Sequence, residues 1–207
     1  MGVDSGLPDF RGPEGFWRAY PPLRQRGLTL PQVSTPGWFE HDPQFAWWFF
    51  GHRIELYRNT PPHNGFNILR EWASRMPNGY FVFTSNVDGH FQKAGFDPER
   101  VIECHGSIQY MQCIDAHISD DIWEVPADFH LEVDMKTLRA KLPLPFGPPS
   151  FEESKRILAR PNVLMFGDWG WIGDRTNAQH GRYTNYIAQL YDQHEPYVVI
   201  EMGMIIK

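Results

Sequence analysis

Residues 80–90 read YFVFTSNVDGH. Tyr80, Phe81, Val82 and Phe83 make the aromatic and β-branched run that a strand covered on both faces uses. The run then breaks into Thr84, Ser85, Asn86 and Asp88, small polar residues crowded at one strand end. Two other runs share this grammar: NVLMF at 162–166 stops at Gly167-Asp168, and YVVIE at 197–201 stops at Met202-Gly203. A shorter run, RVIE at 100–103, delivers Cys104, His105 and Gly106 to the same kind of position. Continuous apolar strands interleaved with helical patterns predict an α/β fold, a parallel sheet with helices on both faces. Ligands of such sheets bind beyond the carboxyl ends of the strands, where these polar residues fall.

The helical patterns lie on either side. Asp42 is placed as an N-cap and Pro43 at the first helical position, ahead of QFAWWFFGHRIELYR. Apolar residues occupy most faces of that helix, which predicts that it is largely buried. Pro61-Pro62 separates it from a second helix over about 63–75, with Phe66, Leu69, Trp72 and Ala73 near helical spacing. Residues 1–15 are rich in Gly, Pro and Asp and read as a loop. Residues 107–150 break the rhythm with short strand-like pieces and prolines, the pattern of an inserted small module. Ser150 and Glu153 form a capping-box pattern that predicts a helix through SKRILA, and a last helix is expected within 178–192.

A chain of 207 residues with net charge −6 is long enough for a substantial core. Its charge argues against nucleic acid or an anionic membrane as partner. Two cysteines, Cys104 and Cys113, make no disulfide framework and point to a reducing, cytoplasmic setting. No segment has the apolar length of a membrane span.

Three groups of residues carry candidate chemistry. The stretch GLPDFRG at 6–12 is a glycine-bounded loop whose Arg11 can serve a phosphate or carboxylate and whose Phe10 can shield a reactive bond; a surface turn with an Asp9–Arg11 pair is the plainer reading. Asn86 and Asp88 can hydrogen-bond ribose hydroxyls or an amide, or simply organise a turn. His105 is a candidate general base, since imidazole titrates near neutrality; a satisfied structural histidine is the alternative.

Taken together, SGLPDFRGPEGFWR, TSNVDGHFQKAG, CHGSI and RPNVLMFGD occur in an order and spacing that resembles the sirtuin family. The resemblance runs from Met1 to about Gly203 and is weakest over 109–158. It implies a Rossmann-like domain and an NAD-dependent protein-lysine deacylase, with NAD consumed as co-substrate to give nicotinamide and O-acyl-ADP-ribose. Asp9, Phe10 and Arg11 would lie in the cofactor loop, with Phe10 close to the nicotinamide. Asn86 would contact the ribose and help position catalytic water, and Asp88 would hold the carboxamide. His105 would be the base. Phe166, Gly167 and Asp168 would pair with an extended acyl-lysine peptide by strand addition. The implied division is a cofactor loop and domain start at 1–41, a helical module at 42–76, Rossmann-like segments at 77–108 and 150–207, and the small module at 109–149.

The chain departs from the family in four places. The family has an apolar strand and a Gly-Ala-Gly loop ahead of the position of Met1, and further strands beyond EMGMIIK, so an incomplete sirtuin-type sequence is expected. The two Cys-x-x-Cys pairs of a zinc ribbon are missing; Cys113, His117 and His130 offer only a mixed set without a fourth ligand, and no zinc is expected. Ser85 and Phe91 replace a usual glutamine and histidine. After Asp168 the segment WGWIGDRTNAQHGRY is unlike the common substrate loop; Trp169 and Trp171 either line a channel or pack against the small module. The competing functions are an NAD glycohydrolase or ADP-ribosyltransferase, and an inactive fragment.

Overall fold

A computed structural model describes residues 1–10 and 12–203. Its first part is helical: α1 (Pro13–Ala19), α2 (Pro21–Gln25), α3 (Leu30–Val33), α4 (Gly37–His41), α5 (Pro43–Asn59) and α6 (Asn64–Ser74). A short parallel sheet follows, β1 (Val82–Thr84) beside β2 (Val101–Glu103), with Phe83 opposite Ile102; the short helix α7 (His90–Lys93) lies between them in the chain. Then come β3 (Gly106–Cys113), β4 (Ile122–Glu124), β5 (Val133–Asp134), β6 (Arg139–Ala140), β7 (Phe146–Gly147) and β8 (Ile157–Val163), and finally α8 (Asp174–Asp192).

The helix predicted from Asp42 forms as expected. The Asp42 carboxylate accepts the Phe45 N–H at 3.3 Å, satisfying one of the amides a helix start leaves open. Trp47, Trp48, Phe49, Phe50, Ile54 and Tyr57 are all buried, so α5 is the axis of the core rather than an amphipathic surface helix. Phe16, Tyr20, Leu23 and Phe39 cover it from the N-terminal helices, and Leu131, Leu138 and Ala140 from the small module. Trp47 reaches furthest, donating its Nε1–H to the Ala159 carbonyl at 2.9 Å. Burying each such ring contributes about 1.5–3 kcal/mol relative to leaving it exposed.

The α/β class with parallel pairing is as expected, but three strand and helix assignments need correction. The run NVLMF does not form a parallel strand: β8 ends at Val163 and pairs antiparallel with β3, Gly106 opposite Val163 and Cys113 opposite Ala159. The sheet it joins runs β4-β3-β8-β7. SKRILA is no helix but a single 3₁₀ turn, Glu153–Lys155, leading into β8. YVVIE forms no strand, and Val198 is 82% and Val199 69% exposed. Apolar runs fix burial or pairing potential, while the partner strand decides direction, and β3 was the partner within reach.

β3 runs continuously from the loop after β2 into the four-stranded sheet, crossing the expected boundary at 108/109. On the far side, α8 packs on β2: the buried Glu103 pairs with Arg175, and the Glu103 N–H donates to Gln179 Oε1 at 3.0 Å. Among the described residues no helix is long and apolar enough to cross a membrane.

Candidate active site

The loop after β1 is laced to the loop after β2. The Cys104 N–H donates to the Thr84 carbonyl at 3.0 Å, and the Ile108 N–H to the Val87 carbonyl at 3.0 Å. Between them His105 Nδ1 lies 3.1 Å from the Ser85 carbonyl. A carbonyl only accepts, so Nδ1 carries a proton, and in the neutral form of this solvent-exposed ring the lone pair is at Nε2. The third segment joins through Leu164, whose N–H donates to the His105 carbonyl at 3.0 Å, and Phe166, whose N–H donates to the Ser34 carbonyl at 3.0 Å.

Gly106 makes this closeness possible. Its φ is +74°, and a Cβ there would stand 2.2 Å from the Asn162 carbonyl oxygen. No side chain fits between β3 and β8 immediately after His105.

Asn86 and Asp88 stand on the same loop. The Asn86 N–H donates to Thr84 Oγ1 at 3.1 Å; its half-buried side-chain amide has no hydrogen bond among the described residues. The Asp88 side chain is 10% exposed. Its Oδ1 accepts the His90 N–H at 3.0 Å, while Oδ2 has no hydrogen bond among the described residues. A Cβ on Gly2 would lie 3.6 Å from Oδ2, so this open acceptor faces the N-terminal loop. A cleft of about 230 Å³ adjoins it, lined by Tyr57, Arg58, Gly89, Lys93 and Gln109 as well as Asp88. Small-molecule sites usually enclose more.

The N-terminal loop turns on Asp9, which accepts the Gly12 N–H at 3.2 Å. Phe10 is half-buried, 6.0 Å from the Tyr57 ring and 6.2 Å from the Tyr20 ring, with the Arg53 guanidinium 4.9 Å over its face. Arg11 lies outside the described residues. Arg53 donates to the Tyr57 hydroxyl from Nε and Nη2, at 3.0 and 2.6 Å. Burial pushes the Tyr20 and Tyr57 phenols up, with the Arg53 charge opposing it. Burial and then Arg53 push the His52 imidazole down. Arg53 was missed in the sequence, although a cation just after the Trp47–Phe50 aromatic run was a visible signal.

Phe166 and Gly167 are exposed, and Gly167 has φ +67°. Asp168 differs from them. Its carboxylate is 0% exposed and pairs with Arg160, itself 1% exposed, whose Nη1 donates to Oδ1 at 3.1 Å. Oδ2 also accepts the Met165 N–H at 3.2 Å, and Oδ1 the Gly170 N–H at 3.1 Å. Asp168 therefore shapes the loop from within. Trp169 next to it is 99% exposed, whereas Trp171 is half-buried against Gly106.

The residues present do not fit zinc. Cys113 is buried, its thiol pushed up by burial, and its Sγ lies 3.6 Å from the Gly147 carbonyl. His130 is engaged with Glu55 at 3.0 Å. No group of three or more His, Cys, Asp or Glu placed to hold a metal occurs among the described residues.

A family model described as the Sir2 family matches residues 1–178. An NAD-dependent protein deacylase of Aquifex aeolicus is 30% identical over 168 residues, 81% of this chain and 58% of that protein. The mitochondrial NAD-dependent protein deacylase sirtuin-5 of Danio rerio is 29% identical over 175 residues, 81% of this chain and 54% of that protein. The chain thus spans just over half the length of these curated relatives. A solved structure from work on the structural basis of sirtuin substrate affinity superposes with a TM-score of 0.56 at 24% identity, covering 88% of this chain and 63% of that one. At that identity the likeness speaks for the fold.

Proposed function

Because the chain belongs to the Sir2 family, we propose that its strand-end loops form the working site of an NAD-dependent protein-lysine deacylase. One observation carries this reading: Asn86, Asp88 Oδ2 and His105 Nε2 keep open hydrogen-bonding capacity on loops laced together by the His105–Ser85 bond. Groups open to solvent in this way can take a ligand's donors and acceptors without breaking a protein hydrogen bond.

When bound, NAD supplies an activated ribose carbon whose leaving group is nicotinamide. Asp88 Oδ2 accepts from the carboxamide N–H, and the Asn86 amide holds the neighbouring ribose and a water. His105 removes a proton from a ribose hydroxyl at Nε2, the nitrogen that its bond to Ser85 leaves as acceptor. Phe10 screens the reacting bond from water on a loop ordered by Asp9, and Arg11 belongs to that loop by its place in the motif. The Phe166 carbonyl and the backbone of Gly167 and Asp168 offer an edge for an extended acyl-lysine peptide, with the Asp168 carboxylate holding the loop in shape. The division into cofactor loop, helical module, Rossmann-like segments and small module at 109–149 belongs to the same reading, as does a cytoplasmic location.

The inward turn of Asp168 and the unfamiliar segment after it favour a second reading: NAD glycohydrolysis or ADP-ribosyl transfer without an acyl-lysine acceptor. The products separate the two. O-acyl-ADP-ribose formed from an acetylated peptide and NAD supports the deacylase, whereas free ADP-ribose released without peptide supports the alternative. Absence of any heat on titrating NAD into the protein removes both.

A further inference from the structure

His90 is buried beside Asp88. Its side chain is 0% exposed, and Nδ1 lies 4.0 Å from Asp88 Oδ2, the carboxylate oxygen left open. Neither ring nitrogen makes a hydrogen bond of normal geometry. Buried polar groups are as a rule hydrogen-bonded, so a fully buried histidine held just short of bonding distance is out of pattern.

We propose that His90 is a positioning residue for Asp88: as a neutral ring it leaves Oδ2 free for a carboxamide N–H, and as an imidazolium it takes that oxygen away. The proposal rests on Asp88 serving the cofactor as described above. In the neutral ring Nδ1 is bare when the proton sits on Nε2. A bare nitrogen does not attract a carboxylate, and Oδ2 stays an acceptor. A proton taken from solvent onto Nδ1 turns the same contact into a charge-assisted hydrogen bond, needing a shift of about 1 Å to reach normal length.

The groups that face the ring are Asp88 from its own turn, Lys93 from α7 and His63 from the segment before α6. Phe66 of α6 lies edge-on, 5.8 Å between centroids. Burial, which dominates, opposes the imidazolium, as do Lys93 and His63; Asp88 and the Thr60 carbonyl favour it. The ring is therefore neutral at neutral pH, and the change falls below the ordinary imidazole range.

Calorimetric titration of NAD into the whole protein tests this. Affinity is expected to fall about tenfold or more from about pH 7.5 to about pH 5, and this fall is expected to flatten in both His90→Gln and His90→Leu. An undiminished acid-side loss in folded variants overturns the proposal. A second measurement needs no cofactor: the NMR titration midpoint of His90 should move further down in Asp88→Asn, and an unmoved midpoint also overturns it. If the midpoint moves but NAD binds at no pH, the cofactor reading has failed, and the proposed role falls with it although the contact stands.

Discussion

The ring of His105 is anchored to the backbone of Ser85, Nδ1 donating to the carbonyl oxygen at 3.1 Å. Because the acceptor is main chain, substitution at Ser85 leaves the bond in place, and the tautomer of His105 is set by the fold of the β1 loop. On the proposed deacylase reading, His105→Ala should lower deacylation by about 10²–10⁴-fold, the usual worth of a general base, while NAD still binds by calorimetry. Parallel loss of binding and turnover removes the base role.

Arg160 and Asp168 form a pair with side chains 1% and 0% exposed. Removing either partner leaves a buried charge, and Asp168→Ala should cost about 3–5 kcal/mol in urea-induced unfolding. The double variant Arg160→Met with Asp168→Leu should cost less than either single change. If it costs their sum, the two groups act independently.

Gly106 and Gly167 both have positive φ, +74° and +67°, but differ in surroundings. Gly167→Ala meets nothing within 4 Å, and only backbone strain of about 1–2 kcal/mol is expected. Gly106→Ala adds to that strain a Cβ 2.2 Å from the Asn162 carbonyl. It should be clearly the more destabilising in thermal or urea unfolding, and should disturb the His105–Ser85 bond. Equal costs at the two sites would contradict the clash.

Burial holds the imidazoles of His52 and His90 below their ordinary value. Unfolded, both titrate at about pH 6.5. Below that pH the unfolded chain binds protons that the folded one refuses, so stability falls with acidification and levels off above it. Urea midpoints measured from about pH 5 to about pH 8 should therefore rise and then flatten. A midpoint that is flat across this range, or that falls, contradicts the buried neutral state.

Much of the molecule was legible because its signals are local. The Asp42-Pro43 start is a capping interaction three residues long, and the aromatic excess of α5 announces burial on all sides. The polar break after Phe83 marks a strand end whatever lies beside it. The sirtuin motifs likewise identified the family, since each motif is a short contiguous stretch.

What the sequence by itself determined, then, is where the chain bends and caps, that α5 is hidden, where β1 and β2 end, and the candidates Asn86, Asp88 and His105; it did not determine the cover of β1, where Phe83 is 57% exposed. Only the tertiary structure decided that residues 157–163 run antiparallel beside β3, that Asp168 turns inward to Arg160, and that His90 stops 4.0 Å short of Asp88. An apolar run carries the same ladder of amides for a parallel or an antiparallel neighbour, and a carboxylate is the same residue facing water or a guanidinium. Those choices rest on contacts between distant segments, and they exist only once the chain has closed on itself.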